Sequence, residues 1–255
     1  MLIDTHSHLF LDEFKADIEQ VIDRAKQNGI SKIVNPNIDV QTIESLLKLS
    51  NKYQDYCYPL MGLHPESVKE NYKTELEKIF LELKKRKYYG IGEIGIDLYW
   101  DKTHINEQKI AFELQIKKAI ELNLPVVIHT RQAYKEVFEI TDKYTDRGLK
   151  GIFHCFSGTF EDAQHILNYK TFKIGIGGVV TYKKSELPAI VEKLPISSIV
   201  LETDAPYLSP VPKRGKRNES SFIVYVAHTI ANIKHLKFEQ VAEATSQNAK
   251  DIFYF

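Results

Sequence analysis

Apolar positions along this chain fall into two rhythms that take turns from one end to the other. Short runs rich in β-branched residues open the chain and return at 30–34, 56–61, 90–94, 125–128, 150–153, 172–176 and 198–201. Their length and composition predict eight buried strands. Between them apolar residues recur every three or four positions, the spacing of one helix face. Residues 12–28 show it through Phe14, Ile18, Val21, Ile22 and Ala25, with Gly29 as the stop. The same spacing predicts helices over 40–50, 74–87, 105–123, 133–144, 160–169 and 185–193, and two closing helices over 219–233 and 238–255.

Strand and helix alternating eight times form βα units throughout, which implies a parallel sheet. A doubly wound open sheet needs the same alternation. Eight strands in 255 residues favour closure into a (β/α)8 barrel, and with no linker or compositional break the reading is one domain, 1–255. Such a barrel carries its chemistry at the carboxyl ends of its strands.

Composition narrows the picture. Lys+Arg 34 and Asp+Glu 34 cancel, which excludes bulk electrostatic coating of nucleic acid, so any such substrate is gripped locally. Two distant cysteines, Cys57 and Cys155, make no CxxC pair and suit a reducing compartment. No apolar run approaches a membrane span and no leader pattern is visible. These features read as a cytoplasmic protein with no membrane association and no evident obligate protein partner.

The strand ends carry the chemistry. His6 and His8 follow the first strand, His64 the third, Glu93 ends the fourth, His129 and His154 follow the fifth and sixth, and Asp204 follows the eighth. One histidine after a strand is usually structural. Five of the nine histidines placed so, together with two carboxylates, point to a shared metal site. Imidazole and carboxylate donors suit Zn²⁺, Mn²⁺ or Mg²⁺, and there are enough of them for two ions with a carboxylate between. Cys155 is expected to face away from His154 along an extended segment and to be structural. Two ions acting on water and leaving group make the expected activity hydrolysis.

These stretches resemble the TatD family of metal-dependent hydrolases, within the amidohydrolase-like barrels. The matching segments are Asp4-Thr5-His6-Ser7-His8, Gly62-Leu63-His64-Pro65, Gly92-Glu93-Ile94-Gly95-Ile96-Asp97, Val127-Ile128-His129-Thr130-Arg131, His154-Cys155-Phe156-Ser157-Gly158 and Leu201-Glu202-Thr203-Asp204-Ala205-Pro206-Tyr207, in family order. The resemblance implies a TIM barrel with two divalent ions, His6, His8 and Asp204 on one, His129 and His154 on the other, and Glu93 bridging. It makes His64 a substrate contact. It implies a 3′–5′ deoxyribonuclease acting on single-stranded ends, with RNA trimming or D-aminoacyl-tRNA deacylation as related activities. A phosphotriesterase-like barrel is disfavoured because Glu93 stands where those enzymes bridge with a modified lysine.

The loop 212–219 adds a basic cluster in which Arg214 and Arg217 could hold phosphate in bidentate fashion. Ser220 stands where the family usually has proline, a position where either residue starts a helix. Tyr99 and Trp100 could stack on a base or cap the barrel mouth, and Asp97 could orient a ligand. Asp204 and Glu93 are the expected catalytic carboxylates, the former taking a proton from water and the latter fixing the spacing of the ions.

Overall fold

The computed structural model describes residues 1–255 and alternates as the apolar rhythm implies. Its elements are β1 (Leu2–Asp4), α1 (Ile18–Gln27), β2 (Ile30–Pro36), α2 (Ile43–Lys52), β3 (Cys57–Leu60), α3 (Tyr72–Glu82), β4 (Ile91–Asp97) and α4 (Ile105–Glu121). Then follow β5 (Val126–Arg131), α5 (Tyr134–Thr141), β6 (Gly151–Phe153), α6 (Phe160–Asn168), β7 (Phe172–Ile176), α7 (Leu187–Lys193), β8 (Ile199–Leu201), α8 (Ile223–Lys234) and α9 (Phe238–Phe253). The strands pair in parallel in two runs, β1 to β3 and β4 to β8. Both seams between the runs are closed by backbone bonds. The Thr5 amide donates to the Leu201 carbonyl at 3.0 Å, and the Met61 amide to the Gly90 carbonyl at 3.2 Å. The sheet is therefore a closed (β/α)8 barrel.

Side-chain alternation along each strand divides the core in two. Ile3, Val34, Leu60, Val127, Ile152 and Val200, one from each of six strands, pack together with Ala249, Ile252 and Phe253 of α9. This inner layer makes α9 the floor of the barrel. The floor is fixed by Asn248, whose Nδ2 donates to the Ile196 and Ile199 carbonyls at 2.8 and 2.7 Å. The other apolar faces pack between strands and surrounding helices. With its lower half filled, the barrel leaves only its upper end for polar groups.

Two boundaries differ from the sequence expectation in ways that matter above. β4 runs to Asp97 rather than stopping at 94, because it keeps pairing with β5 through Gly95, Ile96 and Asp97. Glu93 and His129 therefore stand within strands, not in mobile loops. The helix expected over 12–28 splits into a 3-10 turn at Asp12–Phe14 and α1, with Phe14 fully buried beneath the guanidinium of Arg217.

Arg217 closes a clasp between the loop after β8 and α1. Its guanidinium donates to Asp17 at 2.8 and 2.7 Å and also to the Glu13 carbonyl. Beside it, Arg24 holds Glu219 at 2.8 and 2.6 Å. Asn218 ties the same loop inward through the Thr203 and Tyr207 carbonyls. Hydrogen bonds from Arg217 hold the Asp17 carboxyl below its ordinary value. Arg217→Ala should cost about 1 kcal/mol, or about 2–4 °C in Tm. A carboxylate with a depressed pKa stabilises above its ordinary value and loses that contribution as pH falls through the depressed one. The difference in urea midpoint between variant and wild type should therefore narrow below about pH 4.

Candidate metal centre

Four local devices bring the strand ends together. At Gly95, φ is +149° and a Cβ would overlap the His129 carbonyl, so only glycine lets β4 lie this close to β5. This approach sets Glu93 against the His129 ring. On β7 a Cβ at Gly175 would overlap the Glu202 carboxylate, so that strand contributes space rather than a side chain. Asp4, fully buried, accepts from the Thr203 hydroxyl at 2.6 Å and the Thr203 amide at 3.0 Å. The Asp204 amide in turn donates to the His6 carbonyl at 2.9 Å. Through these bonds the ends of β1 and β8 are locked side by side, with His6, His8 and Asp204 facing one point.

Glu93 is the hub, and its two oxygens face different partners. Oε2 lies 3.1 Å from His6 Nε2 and 3.4 Å from His8 Nε2. Asp204 Oδ1 completes that group at 3.7 and 3.6 Å from the same two nitrogens. Oε1 lies 2.8 Å from His129 Nδ1, 3.5 Å from His154 Nε2 and 3.3 Å from His64 Nε2.

The outer nitrogens fix how each ring is turned. His8 Nδ1 meets the Pro36 carbonyl at 3.2 Å, so it carries a proton there and turns Nε2 inward. His129 stands between two carboxylates, Nε2 2.8 Å from Asp97 Oδ2 and Nδ1 2.8 Å from Glu93 Oε1. His154 stands likewise, Nδ1 3.3 Å from Glu202 Oε1 and Nε2 3.5 Å from Glu93 Oε1. All three inner nitrogens point at Glu93. At His64 the protonation is fixed by the backbone: its Nδ1 accepts the Glu66 amide at 3.2 Å, so Nε2 carries the proton and donates to Glu93. His64 is thus a donor at the rim.

A ring nitrogen at this range from a carboxylate needs a proton or a metal cation between them. Donors bound to one ion at 2.0–2.2 Å stand about 3.0–3.4 Å apart, close to the separations around each Glu93 oxygen. Four carboxylates, Glu93, Asp97, Glu202 and Asp204, converge with no lysine or arginine ion pair among them. His6 Nδ1 and Glu202 Oε2 are buried without partners. The donor set fits divalent cations.

Burial opposes charge on every one of these groups, and neighbours decide the balance. Burial prevails at Asp204, whose carboxyl is pushed up, and at His6, whose imidazole is pushed well down. Burial would raise Glu93, yet His64, His6 and His154 hold it well below the usual carboxylate range. Burial would lower His129 and His154, but Asp97 and Glu93 carry the first up to about 9, and Glu202 and Glu93 carry the second up to about 10. The centre attracts positive charge.

The sequence-expected residues His6, His8, His64, Glu93, His129, His154 and Asp204 thus converge. The two arginines of the loop after β8 do not. Arg217 is held by Asp17, and Arg214 lies against the Tyr182 ring at 4.1 Å. Neither lines the 610 Å³ cavity above the centre, whereas Arg131 does. Cys155 also lines it, contrary to expectation: its φ of +46° breaks the extended alternation and turns the thiol inward. Sequence reasoning passed over Glu202 and Asp4. Nothing in the local pattern distinguishes their carboxylates from surface ones.

Ordinary packing does not gather five imidazoles and four carboxylates around one point, and at the top of a (β/α)8 barrel this donor set defines a class, the metal-dependent hydrolases. Comparison narrows the class. A family profile described as TatD related DNase matches residues 3–254. YabD, a metal-dependent hydrolase of Bacillus subtilis, is 38% identical over 254 residues, 99% of each chain. A protein of Pantoea ananatis named 3′–5′ ssDNA/RNA exonuclease TatD is 29% identical over 260 residues, again 99% of each. The crystal structure of YjjV, a TatD homologue from Escherichia coli, matches with a TM-score of 0.93 at 30% identity, over 100% of this chain and 98% of that one. The chain belongs to the TatD family and is a metal-dependent hydrolase of ester bonds.

If a metal cation joins the donors around Glu93, removing it should loosen the barrel top. Chelator-treated protein should melt several degrees below protein reloaded with Zn²⁺ or Mn²⁺, since a ligand at about 100 times its Kd adds about 2.7 kcal/mol. Scanning fluorimetry with each metal added back singly checks this, and equal melting of stripped and reloaded protein would contradict it.

Proposed function

We propose that this hydrolase is a 3′–5′ exonuclease of single-stranded DNA, and of RNA in the same manner, working with two divalent cations. The observation that carries the reading is the division of Glu93, one oxygen toward His6, His8 and Asp204 and the other toward His129 and His154. That division supports two adjacent cation sites sharing one carboxylate. Zn²⁺, Mn²⁺ and Mg²⁺ all suit the donors. The cavity lies within the ~300–1,000 Å³ of small-molecule sites, large enough for a terminal nucleotide. Relatives named as ssDNA/RNA exonucleases lend support to the substrate class. Donors drawn from residue 6 to residue 204 support the reading of 1–255 as one catalytic domain.

Bound cations would supply Lewis acidity and lower the pKa of water. This chain's residues do the rest. Asp204 stands at the cavity edge with its proton affinity raised by burial, placed to take the proton of an attacking water. Glu93 holds the two donor groups at fixed separation. His64 offers its Nε2 proton, and Arg131 its planar guanidinium, to phosphate oxygens. Asp97 and Glu202 orient His129 and His154 from behind.

Glu93→Ala and His129→Ala should abolish metal-dependent release of nucleotides from a 3′-ended oligonucleotide, and Asp97→Asn should lower kcat/KM about 10–100-fold. Unchanged activity in the first two would overturn the assignment. Faster turnover of D-aminoacyl-tRNA than of the oligonucleotide would replace the nuclease with an ester hydrolase using the same centre.

A further inference from the structure

The rim beside the centre carries a feature that hydrolysis alone does not use. Trp100 is 69% exposed and Tyr99 47%, in the loop after β4. Their rings meet edge to face at 4.7 Å. The Arg131 guanidinium lies 3.8 Å from the Tyr99 ring centre and 5.4 Å from that of Trp100. Arg131 stands two residues after His129 on β5, and both line the central cavity together with Trp100. The Tyr99 amide donates to Asp97 Oδ1 at 2.8 Å, the carboxylate whose other oxygen accepts from His129. The shelf is therefore anchored from both sides to the catalytic centre while its faces remain open to solvent.

Resting on the nuclease reading, we infer that Tyr99, Trp100 and Arg131 form a subsite that stacks one base of the strand, on the nucleotide adjoining the scissile phosphate. Two aromatic faces and a guanidinium plane accept any base, because every base has a π-face, and the guanidinium also pairs with phosphate. A cap on the barrel mouth would instead bury these rings. Beyond the shelf, the groove shared by Tyr99 and Arg131 is lined by Glu161, Asp162 and Glu186 against a single lysine, Lys193. With Arg131 counted, three acids face two bases, so the groove offers no basic path for a continuing phosphate backbone and the shelf takes one nucleotide. The resulting preference is for a single-stranded end of any sequence, since a paired base offers no free face.

Trp100 is the chain's one tryptophan, so its emission reports this shelf alone. The metal-loaded enzyme is titrated with a hexathymidylate carrying phosphorothioate linkages at its 3′ end and a fluorescent label at its 5′ end. Label anisotropy and Trp100 emission are followed separately. The expected result is quenching of Trp100 in step with the rise in anisotropy. Trp100→Ala should weaken binding about 10-fold, equivalent to about 1.4 kcal/mol and within the range of one stacked base. On a cleavable strand the loss should fall on KM rather than kcat, with Tm unchanged, and Trp100→Phe should recover most of it. If the strand binds and is cut but Trp100 emission and the Trp100→Ala affinity do not change, the subsite is wrong and the nuclease reading stands. If wild-type enzyme neither binds nor cuts the strand, the nuclease reading falls and the subsite with it.

Discussion

One carboxylate, buried at the upper end of the barrel, sets the terms for everything around it. Glu93 meets the inner nitrogens of His8, His129 and His154 at 2.8–3.5 Å, an arrangement that holds only with positive charge, from protons or from metal ions, between them. Each of these rings is held at its other nitrogen: His8 by a backbone carbonyl, His129 by Asp97, His154 by the facing Glu202. Those outer partners fix the direction of each inner nitrogen. Rigid imidazole nitrogens around a rigid anion make an environment that positive charge completes.

Holding that environment together is the work of backbone contacts that a side-chain inventory does not reveal. Gly95 lets β4 and β5 approach closely enough for Glu93 to touch His129. Gly175 leaves room for Glu202 behind His154. The Asp4–Thr203 bonds fasten the first strand to the last, so that residues nearly two hundred positions apart share one donor group. Burial pushes the Asp4 carboxyl up to about 7, and five hydrogen bonds from Arg217 and Arg24 keep the loop after β8 against α1 and the turn before it. The upper barrel is thus tied at its closing seam, where two of the three groups around Glu93 Oε2 are supplied by β1.

Much of this was legible before any coordinates. The apolar rhythm located all eight strands, because buried parallel strands read as short apolar runs whatever they pair with. The five histidines stood out because their strand-end placement repeats. What escaped depended on tertiary partners. Arg217 looked free because Asp17 lies 200 positions away in sequence, and its guanidinium turned out to be occupied in a clasp. Cys155 was assigned outward on the assumption of an extended chain, which a left-handed turn breaks. His64 is told apart from the other four imidazoles by the Glu66 amide, a proton-placement detail that no spacing encodes. Arg131 lay within a recognised segment, yet only the cavity shows that it faces the same space as the metal donors.

Glu93 serves two cation sites at once on this reading, and metal stoichiometry tests that most directly. Stripped protein is equilibrated with Zn²⁺ or Mn²⁺, and the bound metal per chain is measured by elemental analysis beside Glu93→Gln, which keeps the shape and removes the charge. Two ions per wild-type chain, with both sites weakened together in Glu93→Gln, is the predicted result. Two ions bound with undiminished affinity by Glu93→Gln would contradict it.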